Sequence, residues 1–353
     1  MQKIKLHTIQ MQDISYLDLI YDQVDIIYHD NIINIFDYTS VILNRHHCRL
    51  NLKLCIDYLT KSVKNRIILL DVLEGTNTTI DFLTENNLLE YFTKTNQILI
   101  ISSGDFSNDT MFANIDLFLD LTAHLYNTTI SLNQFENIYI KKNKSYNYLC
   151  LNKAPRPHRK ALIAKLQERN LLDSALWSDL SANIKIPPLV DDFFNNKISN
   201  ISINATEHSM EWVYGIINPA LYTETYFTVV TETNFEIPHN YCTEKIYKPI
   251  LMGHPFIAVS NYKFYQHLKD RGYKTFESLI DESFDNIENN EDRLTSIVNS
   301  IDKLCQQNLD DFLSKAKPIC DHNRLNYFRE FGCQPLTRYN ILTKFFKKYA
   351  ENS

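Results

Sequence analysis

Short apolar runs that read as strands alternate with stretches of helical period, and the alternation begins twice along the chain. "VDIIYH" (24–29), "SVILN" (40–44), "RIILLDVLEG" (66–75) and "QILIISSGD" (97–105) are strand-like, whereas "TIDFLTENNLLEYFTK" (79–94) and "IDLFLDLTAHLYN" (115–127) repeat their apolar residues at helical spacing. Strand, helix, strand in this order predicts a parallel sheet covered by helices. A polar break, "KKNKSYN" (141–147), is the best linker, and the pattern then restarts. "YLCLN" (148–152), "FTVVTE" (227–232) and "PFIAVS" (255–260) are strands. "KALIAKLQERNLLDSA" (160–175), "NYKFYQHLKDRGY" (261–273) and "ENNEDRLTSIVNSIDKLCQQN" (288–308) are helical, and "NILTKFFKKYA" (340–350) is amphipathic and basic.

A chain of 353 residues exceeds the usual size of one hydrophobic core. The expectation is therefore α/β, with two domains facing a cleft: an N-terminal domain over 1–145, a C-terminal domain over 146–332, and a terminal helix over 333–353 packing across them. Ligands of open α/β sheets sit beyond the carboxyl ends of strands, where loops and helix N-termini meet.

The net charge of −6, with basic residues scattered, argues against a dedicated nucleic-acid binder. Seven cysteines lie singly, with no CxxC pair, which suggests reduced thiols. The N-terminal stretch lacks the apolar core of a signal peptide, and no run approaches the roughly 20 apolar residues that span a bilayer. These features point to a cytoplasmic protein. The basic tail, with Lys344, Lys347 and Lys348 beside Phe345 and Phe346, could touch the inner face of a membrane.

Two loops at predicted strand ends carry the chemistry. In "LNKAPRPHRKAL", Lys153, Arg156, His158 and Arg159 crowd between a strand and a helix. Pro155 and Pro157 stiffen the loop and bias Ala154 and Arg156 toward extended backbone. Guanidinium groups held near a helix N-terminus suit a diphosphate, although a solvated basic turn would look the same. In "ETNFEIPHNYCTEKIYKPILMGHPFI", Thr243 can cap a helix begun by Glu244 and Lys245, ahead of a helix-breaking Pro249 and a turn at Gly253. Glu244 in the first turn is what the helix dipole favours, so capping alone explains it. Lys245 opposes that dipole, which suggests that it answers an anion. Glu244 could accept the two hydroxyls of a ribose while Lys245 faces a phosphate. Together these residues read as a nucleoside-diphosphate site.

"YCTEKIYKPILMGHPFIAVS" (241–260) resembles the Y-x-T-E-K-I…G-x-x-P-[VI] signature of the α1,3/α1,4-fucosyltransferases. The preceding "VVTETNFE" (229–236) is similar to the strand and F-E-N of that family, and "YLCLNKAPRPHRKALIAKL" (148–166) to its upstream F-V-x-S-N-x…R segment. Similar patterns occur in phage and bacterial glycosyltransferase-like proteins. The resemblance covers about a fifth of the chain, over 148–166 and 227–275.

It implies a GT-B glycosyltransferase with two Rossmann-like domains, the first on the acceptor side and the second binding a nucleotide-sugar, a GDP-sugar ahead of a UDP-sugar. By the motif, Tyr241, Glu244 and Lys245 match donor-binding residues, Asn152 matches the family's Asn, and Arg156 or Arg159 its diphosphate arginine, with Arg159 preferred. Glu232 and Glu236 both compete for the F-E-N glutamate, and Lys153, Thr243 and Lys248 line the same loops. Lys248 and Pro249 depart from the family pattern, which leaves the donor sugar open.

Fucosyltransferases invert, and inversion needs a base. Glu74, at a strand's carboxyl end, is the candidate, with Asp71 and Asp105 as alternatives. Glu236 and Glu244 also stand at the E-x7-E spacing of many retaining glycosyltransferases. No Asp-x-Asp occurs, and His46, His47 and Cys48 diverge on an apparent strand end, so no metal and no cofactor are expected. His239 and His254 flank the donor segment. Lys245 and Arg159 would stabilise the leaving diphosphate. The acceptor would be a glycan or a lipid-linked glycan. A nucleotide- or glycan-binding module without catalysis is the alternative.

Overall fold

The computed structural model describes residues 4–9, 24–29, 38, 40–44, 52–62, 64–71, 83–95, 97–102, 112–114, 116, 119, 122, 136–152, 156–179, 219–236 and 240–351. They fall into two units, Met1–Leu117 with Phe331–Ser353, and Phe118–Glu330.

In the first unit the strands are β1 (Ile4–Ile9), β2 (Val24–His29), β3 (Ser40–Asn44), β4 (Arg66–Asp71), β5 (Ile98–Ser102) and β6 (Phe112–Asn114). They pair in parallel in the order β2-β1-β3-β4-β5-β6. Central strands of such a sheet are covered on both faces, and Val41, Leu43, Ile67, Ile68, Leu99 and Ile100 are accordingly buried. Helix α1 (Leu52–Lys61) packs on β4 and buries Cys55, Tyr58 and Leu59, one face at helical spacing.

The helix expected over 79–94 is broken. Asn87 stands in the left-handed region at φ 56°, its N–H bonds the carbonyl of Thr84, and Leu88 N–H bonds that of Leu83, which closes one turn before α2 (Leu89–Thr95) begins. Residues 72–75 and 79–82 and most of 115–127 lie outside the described residues.

The second unit has β7 (Tyr146–Asn152), β8 (Ala175–Asp179), β9 (Thr225–Thr231) and β10 (Phe256–Val259), in the parallel order β10-β9-β7-β8. Every residue of β9 and β10 is buried. Helices follow as α3 (Glu136–Ile140), α4 (Pro157–Glu168), α5 (Pro219–Thr223), α6 (Glu244–Leu251), α7 (Phe264–Asp270), α8 (Asn290–Cys305) and α9 (Leu309–Glu351). The helix expected over 160–175 ends at Glu168, and strand β8, which was not expected, begins at Ala175. Helix α4 stops earlier because Asn170 adopts φ 58°, with Asn170 N–H on the Gln167 carbonyl and Leu171 N–H on that of Leu166.

The polar stretch 141–147 is not where the units part. Lys141 and Ser145 both bond the Glu224 carboxylate, and Lys144 Nζ donates to the Thr223 carbonyl at 2.7 Å. These bonds tie the stretch to the amino end of β9, so its charges are spent within the second unit. Helix α9 is continuous through 330, and residues 331–353 group with the first unit. The side chains of Lys344, Phe345, Phe346, Lys347 and Lys348 lie outside those described.

From β7 the chain passes to β8 on one side, then returns to β9 on the other. Such a reversal opens a crevice between the carboxyl ends of the two central strands. Both units are thus Rossmann-like in strand order, and the crevice of the second lies between Asn152 and Thr231.

Candidate functional site

Strand β9 continues its ladder one residue further, Glu232 N–H bonding the Val259 carbonyl at 3.1 Å. The Glu232 side chain is 1% exposed. Its carboxylate accepts from Thr233 N–H at 3.3 Å, from Thr243 N–H at 3.2 Å and from the Thr243 hydroxyl. Burial raises its pKa, against the lowering by Lys245 and by the Thr243 bonds.

Thr243 is the N-cap of α6, extended at φ −113° and ψ 178°, and its Oγ1 accepts Lys245 N–H at 3.3 Å. This is the cap that the sequence predicts. Lys245 Nζ reaches Glu244 Oε1 at 2.8 Å, Thr233 Oγ1 at 3.1 Å and Thr243 Oγ1 at 3.3 Å. The Lys245 side chain is 27% exposed and that of Glu244 only 6%. Among the described residues Glu244 Oε2 is buried and has no hydrogen-bond partner. A buried acceptor left unpaired costs about 1–3 kcal/mol, more when charged, so this oxygen has an unmet demand for a donor. Lys248, half-buried in the next turn, has its pKa lowered by burial and by Lys245 and raised by Glu244.

Pro249 does not break α6, which runs on to Leu251. The helix ends anyway within three residues, so the proline forfeits one bond. Gly253, at φ 61°, completes the exit, with its N–H on the Ile250 carbonyl and His254 N–H on that of Pro249.

Asn152 ends β7, is 3% exposed, and its Oδ1 accepts the Thr231 hydroxyl across the crevice. Arg156 caps α4 in extended backbone, φ −98° and ψ 149°, as Pro157 requires. Arg159 is buried, and its Nη2 donates to the carbonyls of Thr231 at 3.0 Å and Glu232 at 3.3 Å. Its guanidinium thus braces the end of β9, in contrast to the open diphosphate clamp that its loop position suggests. His158 Nε2 bonds the Glu232 carbonyl at 3.0 Å, and burial holds the ring down to a pKa of about 4, so it is neutral and donates.

The crevice therefore gathers Asn152, Arg159, Glu232, Thr243, Glu244 and Lys245. Tyr241 is buried at the foot of α6, and Glu236 is exposed while Glu244 is not. His254 lies elsewhere, between Thr228 Oγ1 and the Thr225 carbonyl on the first half of β9. Asp71 closes β4. Lys153, Glu74, Asp105, His239, His46, His47 and Cys48 lie outside the described residues. Sequence reasoning missed Thr231 and Thr233, which orient Asn152 and Lys245. The signal was available: threonines ending an apolar run place hydroxyls where a strand meets its loop. Among the described residues no three His, Cys, Asp or Glu side chains gather as a metal site requires, and no helix is long and apolar enough to cross a membrane.

No protein-family model matches the chain, and no curated protein matches its sequence. Among solved structures it is similar to an α1,3-fucosyltransferase with GDP-fucose, at 12% identity and a TM-score of 0.42, over 99% of this chain and 91% of that one. It is similar also to the DNA-modifying β-glucosyltransferase, solved in the presence and absence of its substrate uridine diphosphoglucose, at 10% identity and a TM-score of 0.41, over 97% and 99%. An α1,3-fucosyltransferase structure gives 12% identity and a TM-score of 0.38, over 87% and 81%. Identity at this level assigns neither donor nor acceptor to this chain.

Proposed function

We propose that the chain is a glycosyltransferase whose second unit holds a nucleotide-sugar in the crevice between β7 and β9. The observation that carries this reading is the Glu244–Lys245 pair. It stands at the N-terminus of α6, with one carboxylate oxygen buried and unpaired and an ammonium partly open to solvent. A nucleoside diphosphate supplies a ribose hydroxyl to donate to that oxygen, and a phosphate for the open side of an ammonium already bonded to the other Glu244 oxygen. The resemblance of "YCTEKIYKPI" to the fucosyltransferase donor motif supports the same assignment.

Transfer would proceed by attack of an acceptor hydroxyl on the anomeric carbon, with loss of its proton to a base and departure of the nucleoside diphosphate. Lys245 and the positive end of α6 would carry the charge that develops on the leaving group. Glu74 is the base in this scheme, with inversion at the anomeric carbon. Glu236, exposed where Glu244 is buried, gives an E-x7-E pairing no geometric support. A GDP-sugar is the first donor to try and a glycan the first acceptor.

The test is a thermal-shift screen with GDP, UDP, CDP, ADP and their sugars, with and without EDTA. Ligand at 100 times its Kd adds about 2.7 kcal/mol to the native state, so millimolar nucleotide reveals even weak binding. A shift confined to one base, unchanged by EDTA and lost in Lys245→Ala, is the expected result. No shift with any nucleotide rejects the proposal. Binding without transfer to any acceptor identifies a recognition module instead.

A further inference from the structure

Arg293, in the first turn of α8, is 2% exposed, and its guanidinium is fully engaged. Nε donates to the Ser260 carbonyl at 3.1 Å, just past β10. Nη1 donates to the carbonyls of Ile287 and Glu288, both at 2.9 Å. Nη2 donates to the Phe235 carbonyl and to Asn290 Oδ1, both at 2.6 Å. All five N–H groups that an arginine owns thus reach oxygen. Four of the five acceptors are backbone carbonyls on three separate segments, and only a planar five-donor fork spans them.

The Phe235 ring has two close partners. The Arg293 guanidinium lies 4.4 Å from its centroid, and the neutral His158 ring stacks at 5.3 Å with an interplanar angle of 14°. His158 in turn bonds the Glu232 carbonyl. The clamped segment, 232–236, carries Glu232, which receives the Thr243 cap, and Thr233, whose hydroxyl receives the Lys245 ammonium.

We propose that Arg293 is a positioning residue for the anion-binding end of the site: by clamping Phe235 it sets the loop whose Glu232 and Thr233 aim Thr243 and Lys245. This inference rests on the nucleotide reading of the crevice, and it places a determinant of diphosphate affinity 48 residues beyond Lys245, outside every motif in the sequence. Nothing in the line "NNEDRLTSIV" marks that arginine, because its partners are main-chain oxygens supplied by the fold.

The experiment compares the wild type with Arg293→Lys, Arg293→Ala and Phe235→Leu. Nucleoside-diphosphate affinity is measured by calorimetry, melting temperature by fluorescence, and amide exchange of the 232–236 segment by mass spectrometry. Lysine keeps the charge but offers three donors at one point, so the Phe235 carbonyl and ring lose their clamp. The expected result for Arg293→Lys is faster exchange confined to 232–236 and about tenfold weaker binding, the size of one lost charge-assisted bond. Millimolar guanidinium should restore part of the affinity in Arg293→Ala. Phe235→Leu, which leaves the Arg293 backbone bonds in place, should weaken binding in the same direction if Arg293→Lys fails to fold. Wild-type affinity and wild-type exchange at 232–236 in a folded variant, even one of lower melting temperature, overturn the proposal. A wild type that binds none of the nucleotides rejects the reading of the site instead, and segment exchange alone then decides whether Arg293 sets the loop.

Discussion

The hydroxyl of Thr243 donates to the buried carboxylate of Glu232, and the backbone N–H of Thr243 donates to the other oxygen of the same group at 3.2 Å. One residue thus caps α6 and satisfies a carboxylate at the end of β9, so the helix and the strand end are set by a single side chain.

Glu232 is expected to make the protein less stable as pH rises. Its folded pKa lies above its unfolded one because burial penalises the anion. The native state therefore holds the extra proton between the two values, and stability falls as pH climbs through them. Glu232→Gln removes that titration and can keep a bond to Thr243. The difference in melting temperature, variant minus wild type, should grow from pH 4 to pH 8. A difference that is flat or shrinks over this range would show that Lys245 and Thr243 outweigh burial.

How far this site is readable from sequence depends on where each side chain finds its partner. The Thr243 cap and the Gly253 turn were legible because their partners lie within a few residues, where spacing dictates contact, whereas the bond between Lys245 and Glu244 was not, each residue suggesting a separate ligand group. Strands β3, β4, β5, β7, β9 and β10 were legible because parallel strands with buried faces read as apolar runs, and the edge strand β2 because it is rich in β-branched residues. Strand β8, "ALWSD", was not legible: it is five residues long, ends in two polar ones, and follows a helical period that Asn170 closes in a left-handed conformation. The inward turn of Arg159 was not legible either. A basic loop beside two prolines says that a guanidinium is present, but the free carbonyls of Thr231 and Glu232 that capture it exist only once the sheet has formed.

Lys245→Ala should destabilise by about 2 kcal/mol, because it leaves the Glu244 carboxylate, 6% exposed, without its bonded cation. The figure is below that of a fully buried pair because Lys245 is 27% exposed and partly screened. Lys245→Ala combined with Glu244→Gln should recover part of the loss, since the uncompensated charge is then gone. Urea unfolding of the two single variants and the double closes the cycle. Additive effects would mean that the 2.8 Å contact between them carries no coupling in solution.

Two glycines in left-handed backbone should respond differently to alanine. Gly253, at φ 61°, has open space where a Cβ would go, so Gly253→Ala costs only the backbone strain, about 1–2 kcal/mol. At Gly272, φ 84°, an added Cβ meets Asn326 Oδ1 at 2.9 Å and Arg329 Nη2 at 3.0 Å. Asn326 Nδ2 already holds the Arg271 carbonyl at 3.0 Å, so that side chain cannot simply swing away. Gly272→Ala should therefore cost more than Gly253→Ala, read as a lower urea midpoint. The reverse order would mean that the α9 side chains yield more readily than their bonds imply.

His254 should make the protein acid-labile. The ring is 1% exposed, donates from Nε2 to the Thr225 carbonyl at 2.8 Å and accepts the Thr228 hydroxyl at Nδ1. Both bonds fit the neutral imidazole, and burial drives its pKa down to about 3 from an ordinary 6.5. In the unfolded chain the ring takes up a proton below pH 6.5, which the native state refuses until about pH 3. The contribution is fully present above pH 6.5 and is lost progressively below it. At pH 5 the loss is on the order of 2 kcal/mol, from 1.36 kcal/mol per pH unit. Glu282, raised to about 7 by burial, acts in the opposite sense, so the wild-type profile alone is a sum of both. His254→Gln isolates the effect. Its amide can donate to the Thr225 carbonyl and does not titrate, so wild-type stability minus variant stability should fall by about 2 kcal/mol between pH 7.5 and pH 5. A difference independent of pH would mean that the ring takes up its proton in the native state as readily as in the unfolded chain.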